Sequence, residues 1–271
     1  HSNKHNEKTI SVIQKEDDFP SVVYQIGQDI INACLEMNRM GINQGTSGNI
    51  SARVPMHNQC TPFLITPSGV PYSDLTPEVL VMIKIDDAED NPTIIDGPVN
   101  KISIKRLAPS SEWRLHRDIY SLKIGAQAVV HAHPTFSTIL SCMRINIPSF
   151  HYMIAVAGGS DIRCTPYHTF GTKALAEAMK DALRERYACL LGNHGMISFS
   201  EQSVNKALSL AIEVEALAKQ YYHVLQLTAS FGNGVGGSNE ILESSSFMLD
   251  ENDMKIIKEK FKTYGQSVER S

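Results

Sequence analysis

The sequence predicts an α/β fold, because helical and strand-like stretches alternate along the chain. Two observations carry this. Apolar residues recur at the 3.6-residue spacing of a helix over 19–40 and 203–227, and short β-rich apolar runs at 79–85, 126–133 and 188–191 lie between such segments.

From Phe19 to Met40 the apolar positions Val22, Val23, Ile26, Ile30, Ile31, Cys34 and Leu35 form one helix face, and Gly41 reads as its C-terminal cap. The segment GINQGTSGNISARV is a polar turn running into a short strand, and ITPSGVPY is a second turn after the apolar Phe63, Leu64 and Ile65. Val79 to Ile85 reads as a strand, followed by the polar, proline-containing DDAEDNPTIIDGP. In PSSEWRLHRDIYSL the serines before Glu112 mark a capped helix start. Ala126 to His133 is a strand ended by Pro134, Thr135 to Met143 a short helix, and Gly171 to Arg186 an amphipathic helix. Ala188 to Leu191 is a strand leading into GNHG, and Ser203 to Leu227 is the longest helix, with Ala207, Leu210, Ala211, Val214, Leu217 and Ala218 on one side. Glycines and serines from Ser230 to Ser246 predict a flexible loop, and Asn252 to Tyr264 a terminal helix.

With 271 residues, 42% hydrophobic and 20% charged, the chain can bury one sizeable core, so we expect one domain over 21–271 behind a tail at 1–20. A net charge of -4 without a basic run argues against nucleic-acid and anionic-membrane partners and favours a small molecule. No apolar run reaches the roughly 18 residues of a membrane span. Five scattered cysteines without a Cys-x-x-Cys pair point to a reducing compartment, hence a cytoplasmic protein; Cys142 and Cys189 read as small core residues.

The chemistry concentrates in AVVHAHP. A strand places His131 and His133 on one face, where two imidazoles can share a metal. The same spacing also occurs in paired polar residues without one, so a third ligand is needed. His194, between Gly192 and Gly195, is the best candidate, since those glycines let the backbone turn sharply and present the ring; a hydrogen-bonded turn histidine is the plain alternative. Three imidazoles leaving a position open suit a catalytic zinc, although cobalt, manganese or iron could use the same set. Glu112 at a helix start is the natural base, or else only helps to stabilise its helix. The loops at 45–49, 66–69 and 109–111 combine hydroxyls and glycines that could hold a phosphate, or are simply turns; none fits the GxxxxGK nucleotide pattern. His116, Arg117, His168 and His223 read as packing or surface residues, and His151 has no assigned role.

Taken together and in order, GINQGTSGNIS, LITPSGVPY, LAPSSEWRLH, AVVHAHP, IPSFHYMIAVAGGSDI, TPYHTFGT, LLGNHG and KFKTYG resemble the class II aldolase/adducin family. The resemblance covers about 22–228 and resumes near 250. It implies a three-layer αβα fold with a central, mainly antiparallel sheet flanked by helices, assembled as a homotetramer with sites between subunits. It further implies one zinc ion per subunit on His131, His133, His194 and Glu112, with Glu112 also the catalytic base and Tyr152 a proton donor supplied across the interface. Thr46, Ser47, Gly48, Asn49, Ser68, Gly69, Ser110 and Ser111 would bind phosphate, while Phe170, Phe261 and Tyr264 would line the aldehyde side. The reaction implied is cleavage of a ketose 1-phosphate to dihydroxyacetone phosphate and an aldehyde. A related pentulose-phosphate aldolase or dehydratase, a sugar-phosphate epimerase and a non-catalytic adducin-like module are the alternatives; Glu112, where the epimerases tend to carry aspartate, favours the aldolase. Against the bacterial aldolases, the stretches near 86–108 and 230–246 look like insertions, and the N-terminus is extended.

Overall fold

The computed structural model describes residues 19–55, 61–85, 91–95, 107–232 and 247–262. Six strands, β1 (Asn49–Arg53), β2 (Pro62–Ile65), β3 (Val81–Lys84), β4 (Ala128–Ala132), β5 (Ala188–Leu191) and β6 (Gly195–Ser200), form one sheet in the order β3-β2-β1-β4-β6-β5. Every neighbouring pair in it is antiparallel. The helices are α1 (Phe19–Arg39), α2 (Trp113–Leu122), α3 (Thr135–Cys142), α4 (Lys173–Ala182), α5 (Val204–Gly232) and α6 (Glu251–Phe261), with a 3-10 segment at Tyr152–Ala157.

The sheet is buried on both sides, and the two-residue alternation of its strands sorts side chains into two cores. Ile50, Leu64, Met82, Val130, Leu190 and Met196 pack with α1 and α5. Their sequence neighbours Phe63, Ile65, Val81, Val129, Cys189 and Ile197 pack on the opposite side against Trp113, Leu115 and Ile119 of α2 and Leu175 and Met179 of α4. A helix layer on each face of an antiparallel sheet is the expected three-layer architecture. Fully buried strand side chains such as Ile50, Ile65 and Ile83 each contribute about 1.5–3 kcal/mol, which explains why these strands read as near-continuous apolar runs.

Boundaries differ from the sequence reading where local backbone chemistry overrides periodicity. The 79–85 run begins as a 3-10 turn at Pro77–Val79 and becomes β3 only at Val81, because Pro77 pre-sets the helical φ. The 171–186 helix starts at Lys173, where Thr172 caps it by accepting from Leu175 N at 3.3 Å; Gly171 lies outside with φ +74°. α5 continues to Gly232, past the predicted loop start at Ser230. The remaining parts of the predicted insertions, 86–90, 96–106 and 233–246, lie outside the described residues, as do the 1–18 tail and Tyr264. Cys142, expected in the core, is exposed at the end of α3, whereas Cys34 and Cys189 are buried. No described helix is long and apolar enough to cross a membrane.

Candidate metal centre and active site

The sheet delivers three imidazoles and a carboxylate to one point. His131 is on β4, opposite Asn49 of β1 and Ile197 of β6, so the strand ladders fix its backbone on both sides. Its Nδ1–H donates to Met196 O at 2.8 Å, which turns Nε2 toward the other three residues. His133 follows the last residue of β4, and its Nε2 lies 2.9 Å from His131 Nε2. His194 comes from the β5–β6 turn. The three ring centroids form a triangle with 4.8 Å sides. Glu112 closes the group, with Oε2 2.9 Å from His131 Nε2 and Oε1 3.1 Å from His194 Nε2. The ligand atoms of all four residues lie within 4.8 Å of one another.

The turn that presents His194 is built differently from the sequence expectation. Asn193, not a glycine, takes the left-handed conformation, at φ +55°. Gly192 and Gly195 are needed for close approach instead: a Cβ on Gly195 would sit 2.5 Å from Ala132 O, and one on Gly192 2.5 Å from Thr165 O. Asn193 N donates to Ser141 O at 2.9 Å and His194 N to Ser141 Oγ at 3.3 Å, which ties the turn to the end of α3.

Glu112 occupies the N-cap position of α2 but does not cap it with its side chain. Ser110 takes that part, accepting from Trp113 N through its carbonyl at 3.0 Å and from Glu112 N through Oγ at 3.3 Å. The Glu112 carboxylate, 5% exposed, is thereby free to turn toward the imidazoles. Burial raises its pKa, but the charge of His131 beside it, joined by that of His194, outweighs that and holds it well below the carboxylate range. His133 is pushed down to about 3 by burial and by His131 and His194, so its lone pair stays available to a metal. Glu112 Oε1 is buried and has no hydrogen-bond partner among the described residues. An orphaned carboxylate oxygen facing imidazole nitrogens is costly, and a divalent cation would satisfy it, so these residues fit a metal.

The three hydroxyl loops meet beside this cluster. Pro67 and Pro109 form an isolated bridge, Ser68 N donates to Ala108 O at 3.0 Å, and Ser110 N donates to Thr66 O at 3.0 Å. Gly48 lies against His131: a Cβ there would be 2.7 Å from His131 O and 2.8 Å from Asn43 Oδ1. Thr46, Ser47, Ser68, Gly69 and Ser111 are exposed and Ser110 is buried. Asn49, expected with this phosphate group, has its side-chain Nδ2 donating to Glu112 Oε2 at 3.1 Å.

The sequence matches the family described as Class II Aldolase and Adducin N-terminal domain over residues 28–222. The chain belongs to the class II aldolase and adducin family. It is 40% identical over 245 residues to the L-fuculose phosphate aldolase of Escherichia coli K12, covering 90% of this chain and 98% of that one. It is 39% identical over 240 residues to the 5-methylthioribulose-1-phosphate/5-deoxyribulose-1-phosphate aldolase of Rhodospirillum rubrum, covering 89% and 92%. A solved structure of L-fuculose 1-phosphate aldolase superposes with a TM-score of 0.70 at 33% identity, over 88% of this chain and 96% of that one. The intact glutamate and histidine set places the chain with the metal-dependent lyases of the class II aldolase family.

Gly171, next to the exposed Phe170, would bring a Cβ within 3.3 Å of Ser111 O, so the 170–171 turn adjoins the 109–111 loop. Tyr152 is half exposed and stacks on Phe261, with centroids 6.3 Å apart and ring planes 8° apart. α6 is anchored there by Ser149, whose carbonyl accepts from Leu249 N at 2.9 Å. His151 caps the 3-10 segment by accepting from Met153 N at 3.2 Å. Two supports escaped the sequence reading. Asn43 Oδ1 accepts from His133 N at 3.3 Å and Ser47 Oγ at 3.1 Å, and Glu215 of α5 accepts from the amides of Phe136 and Ser137, each at 2.8 Å. Neither carries a local motif, because each acts on a partner distant in sequence.

Proposed function

We propose that this enzyme cleaves a ketose 1-phosphate to dihydroxyacetone phosphate and an aldehyde, with L-fuculose 1-phosphate, yielding L-lactaldehyde, as its substrate. The observation that carries the reading is the convergence of His131, His133, His194 and Glu112 beside three hydroxyl-bearing loops. A divalent cation on these residues supplies a Lewis acid that stabilises the negative charge developing on the ketone oxygen as the carbon–carbon bond breaks. Three neutral imidazoles and one carboxylate favour zinc, one ion per subunit.

The chain's own residues carry the remaining tasks. Thr46, Ser47, Gly48, Ser68, Gly69, Ser110 and Ser111 bind the phosphate through hydroxyls and backbone amides, with Asn49 joining this region to Glu112. Glu112 moves the proton at the third carbon of dihydroxyacetone phosphate; its burial keeps water from competing. Tyr152, with its exposed hydroxyl-bearing ring, serves the aldehyde oxygen of a neighbouring subunit in a homotetramer. Phe170, Phe261 and Tyr264 line the aldehyde side. In this reading the enzyme works in the cytoplasm.

The near-equal identity to the Rhodospirillum rubrum enzyme favours one second reading, a 5-deoxy or methylthio pentulose 1-phosphate as substrate. An apolar aldehyde pocket separates such substrates by only about 1–3 kcal/mol per methylene. The test is kcat/KM of metal-replete enzyme for L-fuculose 1-phosphate, 5-deoxyribulose 1-phosphate and 5-methylthioribulose 1-phosphate, following dihydroxyacetone phosphate. A higher value for either pentulose ester overturns the first choice, and no cleavage of any overturns the aldolase reading. Size-exclusion chromatography with light scattering tests the tetramer.

A further inference from the structure

A chain of buried polar side chains runs from Glu112 into the core between the sheet and α2. Asn49 Nδ2 donates to Glu112 Oε2 at 3.1 Å, and Asn49 Oδ1 lies 2.5 Å from His116 Nε2. His116 Nδ1 lies 2.7 Å from Ser51 Oγ, which lies 2.8 Å from Tyr120 Oη. His116, Ser51 and Tyr120 are at most 1% exposed. The direction of every bond follows from one end. An ionised carboxylate only accepts, so the amide nitrogen of Asn49 must face Glu112 and its oxygen must face His116. His116 then carries its proton on Nε2 and accepts at Nδ1, Ser51 donates to it, and Tyr120 donates to Ser51. Each bond of the chain then pairs one donor with one acceptor, as a buried network requires. Burial first, then nearby His131, holds His116 down at about 3, which agrees with the neutral tautomer this order demands.

We propose that His116 is a positioning residue for Glu112, acting through Asn49. If the Asn49 amide turned over, its oxygen would oppose the carboxylate and its NH2 would oppose the His116 Nε2–H, two repulsive contacts at once. The carboxylate orients Asn49, the imidazole Nε2–H holds that orientation by donating to the Asn49 oxygen, and Asn49 in turn holds Oε2 in place so that Oε1 stays turned toward His194. This rests on reading Glu112 as metal ligand and base.

Two amide replacements separate a donor from mere bulk. In His116→Gln the side-chain NH2 reaches where Nε2 stood and still donates to Asn49; in His116→Asn the amide reaches only the Nδ1 position, keeping Ser51 and losing Asn49. We expect His116→Asn to lower kcat roughly 10–100-fold with KM changed less than about twofold, and to weaken Co2+ binding, followed by its visible absorption, by at least roughly tenfold. His116→Gln restores both to within about threefold of the unaltered protein, and Tyr120→Phe, at the far end, costs less than His116→Asn. Equal behaviour of the Asn and Gln variants, in rate or in Co2+ affinity, overturns the proposal. Should the unaltered protein cleave no ketose phosphate, the aldolase reading fails by itself, while the Co2+ titration of the two variants still decides the role of His116.

Discussion

Asn49 and His131 face each other across the β1–β4 ladder and both reach the same carboxylate oxygen, Glu112 Oε2, at 3.1 and 2.9 Å. Strand register therefore fixes the position of the acid as well as of a metal-type ligand. One neighbour is an amide donor and the other an imidazole, so the two oxygens of Glu112 stand in different surroundings.

Replacing Glu112 by Gln removes the charge while keeping the shape. We expect kcat to fall about 100–10,000-fold, the range for loss of a positioned acid–base group. Bound metal, measured by elemental analysis after dialysis, also falls. Full activity with a full metal complement would remove Glu112 from both roles.

Gly48→Ala places a methyl 2.7 Å from His131 O and 2.8 Å from Asn43 Oδ1. Backbone fixed in the β4 ladder cannot give way cheaply, so a loss of about 1–3 kcal/mol in denaturant stability is expected, with weakened substrate binding. A chemical-denaturation curve matching that of the unaltered protein would show that the loop yields freely.

His116 has an ordinary value of 6.5 and is held at about 3 in the fold, so between these pH values the unfolded chain binds more protons than the folded one. Its contribution to stability is complete above about 6.5 and lost as pH falls toward 3, with a slope of at most about 1.4 kcal/mol per pH unit. Denaturation at pH 7 and pH 5 should therefore show a smaller acid loss for His116→Gln, which has no titrating ring, than for the unaltered protein.

Glu215→Ala removes three acceptor contacts at the start of α3, from Phe136 N, Ser137 N and Ser137 Oγ, each 2.8 Å long. A cost of about 2 kcal/mol is expected, with faster hydrogen exchange in α3. Unchanged exchange there would mean that packing alone holds the helix.

Among the cysteines of the described residues, a thiol reagent added to the native protein should label Cys142 first. Cys34 and Cys189 are fully buried, and burial pushes their thiols well above the ordinary value, so they should react only on unfolding. Peptide mapping after partial labelling distinguishes them, and native modification of Cys34 or Cys189 would contradict the packing.

The layers were readable because strand and helix periods survive in the apolar residues of 79–85, 126–133 and 203–227. His131 and His133 stood out because two-residue spacing has one geometric meaning in a strand. Asn49 is a different case: a polar residue at the end of a glycine-rich turn gives no local hint that its carboxamide meets Glu112 rather than an anion. His116 looked like a packing residue because only tertiary contact brings Ser51 and Asn49 to its two nitrogens. Likewise, the glycines around His194 announced a turn, but not that Asn193 would carry the left-handed backbone while they served close approach. Sequence spacing reports what an element does by itself and is silent on what the neighbouring strand contributes.

Glu112 precedes α2, His131 lies in β4 and His133 just after it, and His194 lies between β5 and β6, so one cation there would pin three remote segments together as a removable cross-link. Loss of that tie frees each segment to peel away separately. Chelators should then shorten the lifetime of the native protein under heat as well as its turnover, making metal supply a determinant of durability.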